Sequence, residues 1–281
     1  MALDGGDFIE IGRAEMMNWW PLYLLLGGAL GVWGLFWWLG RRRLEEREIL
    51  RGKALTEEEW GWIDGSVRLV AEASEELREE LGGIVQILRA EKRFEACGGL
   101  TEVTGEMKMV ILAQAALLLT GRAQGFFPRL RSILVYPDTY MADREGEGHE
   151  ARLGESWGSG SVVLAWRSVV AGGRNDEDGQ NVVLHEFAHQ LDQDDGAADG
   201  LPLLADGMRH AEWAAAFVRS YERFCDEVEE GRDTFLDPYG ATNPAEFFAV
   251  ATETYFEKRR RMEREEPEVF RQLEVYYGGG D

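Results

Sequence analysis

Between Trp19 and Gly40 no position carries a charge, and Leu, Trp and Gly dominate. At 1.5 Å per residue these 22 residues are long enough for a hydrocarbon core of about 30 Å, so the pattern predicts one transmembrane helix. Trp19, Trp20 and Tyr23 at one end and Trp37 and Trp38 at the other match the aromatic belts of the two interfaces. A core helix would show a polar face, and a cleaved signal peptide would begin basic. Here Asp4, Asp7, Glu10 and Glu15 outnumber Arg13 before the run, and Arg41-Arg42-Arg43 follow it.

After the run the period becomes helical. Thr56-Glu-Glu-Glu59 has the form of a capping box, and Trp60, Ile63, Val67, Val70 and Leu77 then recur on one face. A second helical stretch from Ile84 to Phe94 ends before Gly98-Gly99, and a third runs from Glu106 to Thr120. Its apolar run Val110–Leu119 is too short for a bilayer and predicts a central core helix. Ile133–Tyr136, closed by Pro137, and Ser161–Trp166 read as strands, and an exposed strand edge there would suit an extended peptide. Ala171–Gly179 reads as a turn, followed by a helix capped by Asn181.

These elements predict an α+β fold, mainly helical with a small β-sheet, preceded by one transmembrane helix. The expected organisation is a short extracytoplasmic tail over 1–18, the transmembrane helix over 19–40, a basic juxtamembrane linker over 41–55 and one domain over 56–281. Arg41, Arg42, Arg43, Arg47, Arg51 and Lys53 follow the span, against Arg13 before it. The positive-inside rule then places the N-terminus outside and the domain in the cytoplasm, on a single-pass anchor in the inner membrane.

Composition narrows the function. A hydrophobic content of 45% supports a sizeable core, and a net charge of -22 argues against a nucleic-acid partner, which would need clustered Lys and Arg. Cys97 and Cys225 lack CxxC spacing, so neither a disulfide framework nor a thiolate metal site is expected.

The candidate chemistry lies in Asn181-Val-Val-Leu-His-Glu-Phe-Ala-His-Gln-Leu-Asp192. On a helix His185 and His189 project from one face on successive turns, so both can reach one divalent ion, and Glu186 stands about 100° round, placed to touch an ion-bound water. An ordinary amphipathic helix would fit the same letters with histidines bonded inside the core. The apolar residues on nearly every side, however, bury two histidines and an acid that then need a partner, and a cation is a good one. A catalytic zinc usually takes a third protein ligand and keeps a fourth position open. His149 and His210 sit in polar surroundings; Glu246 and Glu253, seven apart and on one face behind the helix start Asn243-Pro244, are better placed as one ligand and one carboxylate that orients a ligand histidine. Asp192 is a further carboxylate near the ligands. Glu246 equally suits a capping role. The acidic loop Asp194–Gly200 does not have calcium-loop spacing and reads as a solvated turn.

The run 181–192, with Asp199-Gly-Leu-Pro202, Asp237-Pro-Tyr-Gly240 and Asn243-Pro-Ala-Glu-Phe-Phe-Ala-Val250, resembles the Mlc titration factor A family, bacterial zinc peptidases of the gluzincin type. The likeness extends over roughly residues 57–278 through Ile133–Pro137, Val162–Trp166 and Ile111–Ala116. It implies a zincin-like metallopeptidase domain holding one zinc ion on His185, His189 and Glu246, with Glu186 as general base and the Tyr239 hydroxyl near the oxyanion. It also implies a peptide or protein substrate, aminopeptidase-like activity and a transcriptional regulator, Mlc, as partner. The transmembrane anchor and Phe247 depart from the best-known members. A rival expectation is a membrane-tethered module that sequesters a repressor and uses its metal mainly as structure; the presence of Glu186 disfavours it, since a structural site needs no base.

Overall fold

The computed structural model describes residues 20–121, 125–138, 140–144, 148–152, 154–157, 160–204 and 207–278, and among these the side chains of 20–23, 26, 27, 140–144, 148–152 and 154–157 are left aside. The tail over 1–18 lies outside the described residues.

The uncharged N-terminal run lies in one long helix, α1 (Trp20–Arg51), which continues through the basic stretch to Arg51. Its described apolar side chains Leu30, Trp33 and Phe36 are each about two-thirds exposed (66%, 67% and 67%). Among the described residues, no helix is long and apolar enough to cross a membrane. The chain divides into two units, residues 1–48 and 49–281. The second unit contains the β-sheet and the helix that carries the metal motif.

The apolar stretch Trp60–Leu77 is not one helix but the start of three: α2 (Glu57–Asp64), α3 (Arg68–Ala71) and α4 (Glu75–Glu91). Thr56 and Glu59 form the expected capping box. Gly65 caps α2 at its C-terminus, while Ser74 accepts from the Leu77 N–H and begins α4, so two local caps override a pattern that was continuous in spacing. The helix expected over Ile84–Phe94 ends at Glu91, and Phe94 belongs to strand β1 (Arg93–Ala96). Lys92, buried at that junction, donates to the carbonyls of Phe127 and Leu130.

Helix α5 (Gly105–Leu117) is the central core helix, with every residue from Met109 to Leu117 buried. Next come β2 (Ser132–Tyr136), the hairpin β3 (Tyr140–Arg144) and β4 (Gly148–Arg152), then β5 (Gly154–Trp157) and β6 (Ser161–Ala165). The sheet order is β1-β2-β6-β5; β1, β2 and β6 are parallel and β5 runs antiparallel to β6. Both strands read from the sequence therefore lie inside the sheet, each hydrogen-bonded on two sides. Among the described residues the edges are β1 and β5, and it is β5, not β6, that lies at the edge beside the metal-motif helix.

Of the segment expected as a turn, Ala171–Gly179, the first four residues are the last turn of helix α6 (Trp166–Arg174), and the remaining five, from Asn175, form the expected bend. Its Gly172-Gly173 pair serves close packing: a Cβ on Gly173 would collide with the Ser66 carbonyl, and one on Gly172 would crowd Asn181. Helix α7 (Val182–Asp192) then carries the motif, followed by α8 (His210–Glu229), α9 (Pro244–Glu257), α10 (Arg259–Glu265) and α11 (Pro267–Tyr276). Trp213, Phe217 and Phe224 of α8 pack on Phe247 and Phe248 of α9, with the Trp213 and Phe217 rings stacked 4.2 Å apart. Burying side chains of this size stabilises by about 1.5–3 kcal/mol each, which fixes α9 on its outer face while its other face meets α7. The architecture is α+β and mainly helical, as the pattern predicts.

Candidate metal centre

Helix α7 starts where the sequence places it. The Asn181 side-chain carbonyl accepts from the Val183 and Leu184 N–H groups, both at 3.1 Å, satisfying two of the donors a helix start leaves open. The helix is buried on nearly all sides, and Glu186 (5% exposed) and His189 (8%) share that burial. Phe187 meets Phe127 edge-on at 4.9 Å. Phe127 holds a positive φ of 48°, a strained backbone for a bulky residue.

Helix α9 begins at Asn243, whose side chain accepts from the Glu246 N–H at 3.0 Å, with Pro244 in the first turn. That turn brings Glu246 to the two histidines. Glu246 Oε2 lies 2.9 Å from His185 Nε2 and 3.2 Å from His189 Nε2, and the two Nε2 atoms are 3.2 Å apart. His185, His189 and Glu246 form a group that could hold a metal ion.

The donor chemistry fits that ion. His185 Nδ1 meets Glu253 Oε1 at 2.7 Å, so the ring proton sits there and the Nε2 lone pair points at the Glu246 carboxylate. Three acceptor atoms facing one another need a positive charge between them. Ligand atoms about 2.0–2.1 Å from a tetrahedral ion stand roughly 3.3 Å apart, close to the triangle seen here. Without an ion that charge is a proton. Burial opposes the charged ring, but Glu253, Glu246 and Glu186 outweigh it and push the His185 pKa well above the ordinary imidazole range. Burial likewise works against ionised Glu246, yet hydrogen bonds from His185 and His189 hold its carboxyl far below the usual carboxylate range.

Glu253 does more than face His185. Its second oxygen accepts from the Asn181 N–H, so one buried carboxylate ties the helix cap to the first histidine. One turn later, Glu257 Oε2 accepts from the Gln180 N–H at 3.1 Å. Asp192 lies at the end of α7, wholly buried, with Oδ2 accepting from the Gly200 N–H at 3.0 Å. Gly200 in turn lies against the Pro244 carbonyl, where a side chain would collide. Asp192 thus links the end of α7 to the start of α9 and is charge-coupled to His189. Burial raises its pKa to about 6.

Tyr239 sits in a short 3-10 turn over Pro238–Ala241, half-exposed, its ring centroid 5.9 Å from that of His185. Of the other histidines, His210 is exposed at the start of α8 and is not part of this group, while the side chain of His149, on β4, lies outside those described. Two participants were not read from the sequence. Glu257 had the helical spacing of Glu253 plus one turn. Gln114, completely buried, accepts from the Asn181 side-chain amide at 3.0 Å, and its signal was a lone amide inside the apolar run of α5.

Residues 39–278 match the family described as glucose-regulated metallo-peptidase M90. The chain is 35% identical over 265 residues to an uncharacterized protein of Synechocystis sp., covering 91% of this chain and 94% of that protein. It is also similar to proteins named Mlc titration factor A: one from Pectobacterium atrosepticum, 28% identical over 224 residues (75% of this chain, 83% of that protein), and one from Yersinia enterocolitica, 28% identical over 224 residues (75% and 82%).

Proposed function

The chain belongs to the glucose-regulated metallo-peptidase M90 family, and from that premise we propose that it is a zinc-dependent peptidase that hydrolyses peptide bonds at the α7–α9 site. The observation that carries this reading is the convergence of His185 Nε2, His189 Nε2 and Glu246 Oε2 into one triangle beside the buried acid Glu186.

In this reading His185, His189 and Glu246 hold the ion. When bound, zinc supplies a Lewis acid for the scissile carbonyl and lowers the pKa of a water towards about 7. Glu186 takes the proton of the attacking water and hands it to the leaving amine. Glu253 keeps the His185 proton on Nδ1, so that Nε2 stays a lone-pair donor. Tyr239, beside His185, offers its hydroxyl to the oxygen on which negative charge develops. Strand β5, at the sheet edge, suits main-chain pairing with an extended substrate.

The resemblance to Mlc titration factor A extends the proposal to aminopeptidase-like cleavage and, through the name of the relatives from Pectobacterium and Yersinia, to binding of a transcriptional regulator. Location is proposed on separate grounds. The uncharged run 19–40, the arginines behind it and the exposed Leu30, Trp33 and Phe36 of α1 support a membrane anchor with the catalytic domain on the cytoplasmic side.

The test is metal analysis and cleavage of a peptide library, including aminoacyl-nitroanilides, by the full chain and by Glu246→Ala. The proposal expects one zinc per wild-type chain, cleavage, and loss of both in the variant. A variant that keeps a full complement of zinc would place the third ligand elsewhere. A zinc-loaded wild type that cleaves nothing and instead binds a purified Mlc-type repressor would favour the binding-module reading.

A further inference from the structure

We propose that Asp237 is a positioning residue that holds Tyr239 over the metal centre; this rests on the peptidase reading above. Its carboxylate joins two parts of the chain far apart in sequence. Asp237 Oδ1 accepts from the Tyr239 N–H at 2.9 Å and so caps the turn that carries the tyrosine. Asp237 Oδ2 accepts from the Gln180 side-chain amide at 3.0 Å, across 57 residues.

Gln180 is itself fixed. Its main-chain N–H is shared by Asp178 Oδ1 at 3.0 Å and Glu257 Oε2 at 3.1 Å, one residue before the Asn181 N–H held by Glu253. The residue that orients His185 and the residue that anchors Gln180 are therefore on successive turns of α9. A hydrogen-bonded path runs from α9 through Gln180 to Asp237 and reaches the tyrosine turn from the side of the metal helix.

The turn is fastened on its other side as well. Thr242 Oγ1 donates to the Tyr239 carbonyl at 2.7 Å, and the Tyr221 hydroxyl donates to the Ala241 carbonyl at 3.4 Å. A Cβ on Gly240 would already touch Phe224 and Val250 at 3.4 Å, so the turn lies close against both. These contacts keep the turn on the domain surface. The Asp237–Gln180 link is what ties it to the segment entering α7, and so sets the Tyr239 ring relative to His185.

Such a residue touches no substrate. Its removal leaves the ligands in place and lets the tyrosine wander, which lowers kcat more than it raises KM. Loss of an oxyanion donor costs roughly 10²–10³-fold in kcat, and misplacement of one costs less, about tenfold.

The experiment is a double-mutant cycle of Asp237→Ala and Tyr239→Phe in the full chain, with zinc content, kcat and KM measured for each, Asp237→Asn as the conservative variant and Glu186→Gln as control. The expected result is full zinc throughout, a kcat about tenfold lower for Asp237→Ala, the same substitution without further effect in the Tyr239→Phe background, and recovery of most of the rate by Asp237→Asn, whose oxygen still caps the turn and whose NH2 can donate to the Gln180 side-chain oxygen once that exposed amide turns over. An equal fall in both backgrounds, a fall in proportion to lost zinc, or no fall overturns the positioning role. A Glu186→Gln control that turns over at the wild-type rate overturns the peptidase mechanism instead.

Discussion

The side-chain carbonyl of Gln114, in the middle of the central core helix, accepts a hydrogen bond from the side-chain amide of Asn181, the cap of the metal-motif helix, at 3.0 Å. Both residues are buried, at 0% and 2% exposure, so neither has water as an alternative partner. The amide of Gln114 donates in turn to the Val110 carbonyl at 3.1 Å. The core helix thereby fixes the position from which His185 and His189 are counted.

Gln114→Leu removes the Gln114 oxygen from the buried Asn181 amide. The expected cost is about 1–3 kcal/mol of stability, read as a lower urea midpoint with an unchanged slope. A midpoint equal to the wild type would mean that Asn181 finds another acceptor and that Gln114 is only filling space.

Glu253→Gln keeps one oxygen, for the His185 Nδ1 proton or for the Asn181 N–H but not for both, and removes the charge behind it. Zinc affinity should fall about 10–100-fold, measured by competition with a chromogenic chelator. Wild-type affinity would assign Glu253 to holding the Asn181 N–H alone.

Glu257 gives a pH dependence. Burial raises its pKa to about 8, outweighing the hydrogen bonds from the Asn181 side chain and the Gly179 backbone that favour the charged form. Between the ordinary carboxylate value and about pH 8 the folded chain therefore holds a proton that the unfolded chain has lost, and stability falls as pH rises through that window. Glu257→Gln does not titrate. Its stability should match the wild type near pH 4.5 and exceed it increasingly towards pH 8, by at most about 1.4 kcal/mol per pH unit, in urea unfolding with a chelator present. A difference that stays constant with pH would remove Glu257 as the source.

Much of the site was legible because its signals are local. The histidine spacing and the Asn181 and Asn243 caps each depend on neighbours within four residues, and all of these features form as the spacing predicts. Glu246 reaches the histidines from 57 residues away, and its choice over Glu253 needed the family resemblance. What was illegible is what depends on contacts between distant segments. Gly172-Gly173 signals a turn as readily as a close helix approach, and only the Ser66 carbonyl behind it decides for the helix. Strands β1 and β5, four residues each, are too short to show alternation, and pairing with β2 and β6 creates them. The part played by Gln114 depends on a partner 67 residues away, and that of Asp237 on one 57 residues away.

Single-turnover peptide cleavage and zinc content, measured on Glu186→Gln beside the wild type, decide whether Glu186 moves the proton in a metal-dependent hydrolysis. The expected result is unchanged zinc and a rate lower by about 10²–10⁴-fold, the usual worth of a positioned acid–base. Cleavage by the zinc-loaded variant at the wild-type rate would contradict it.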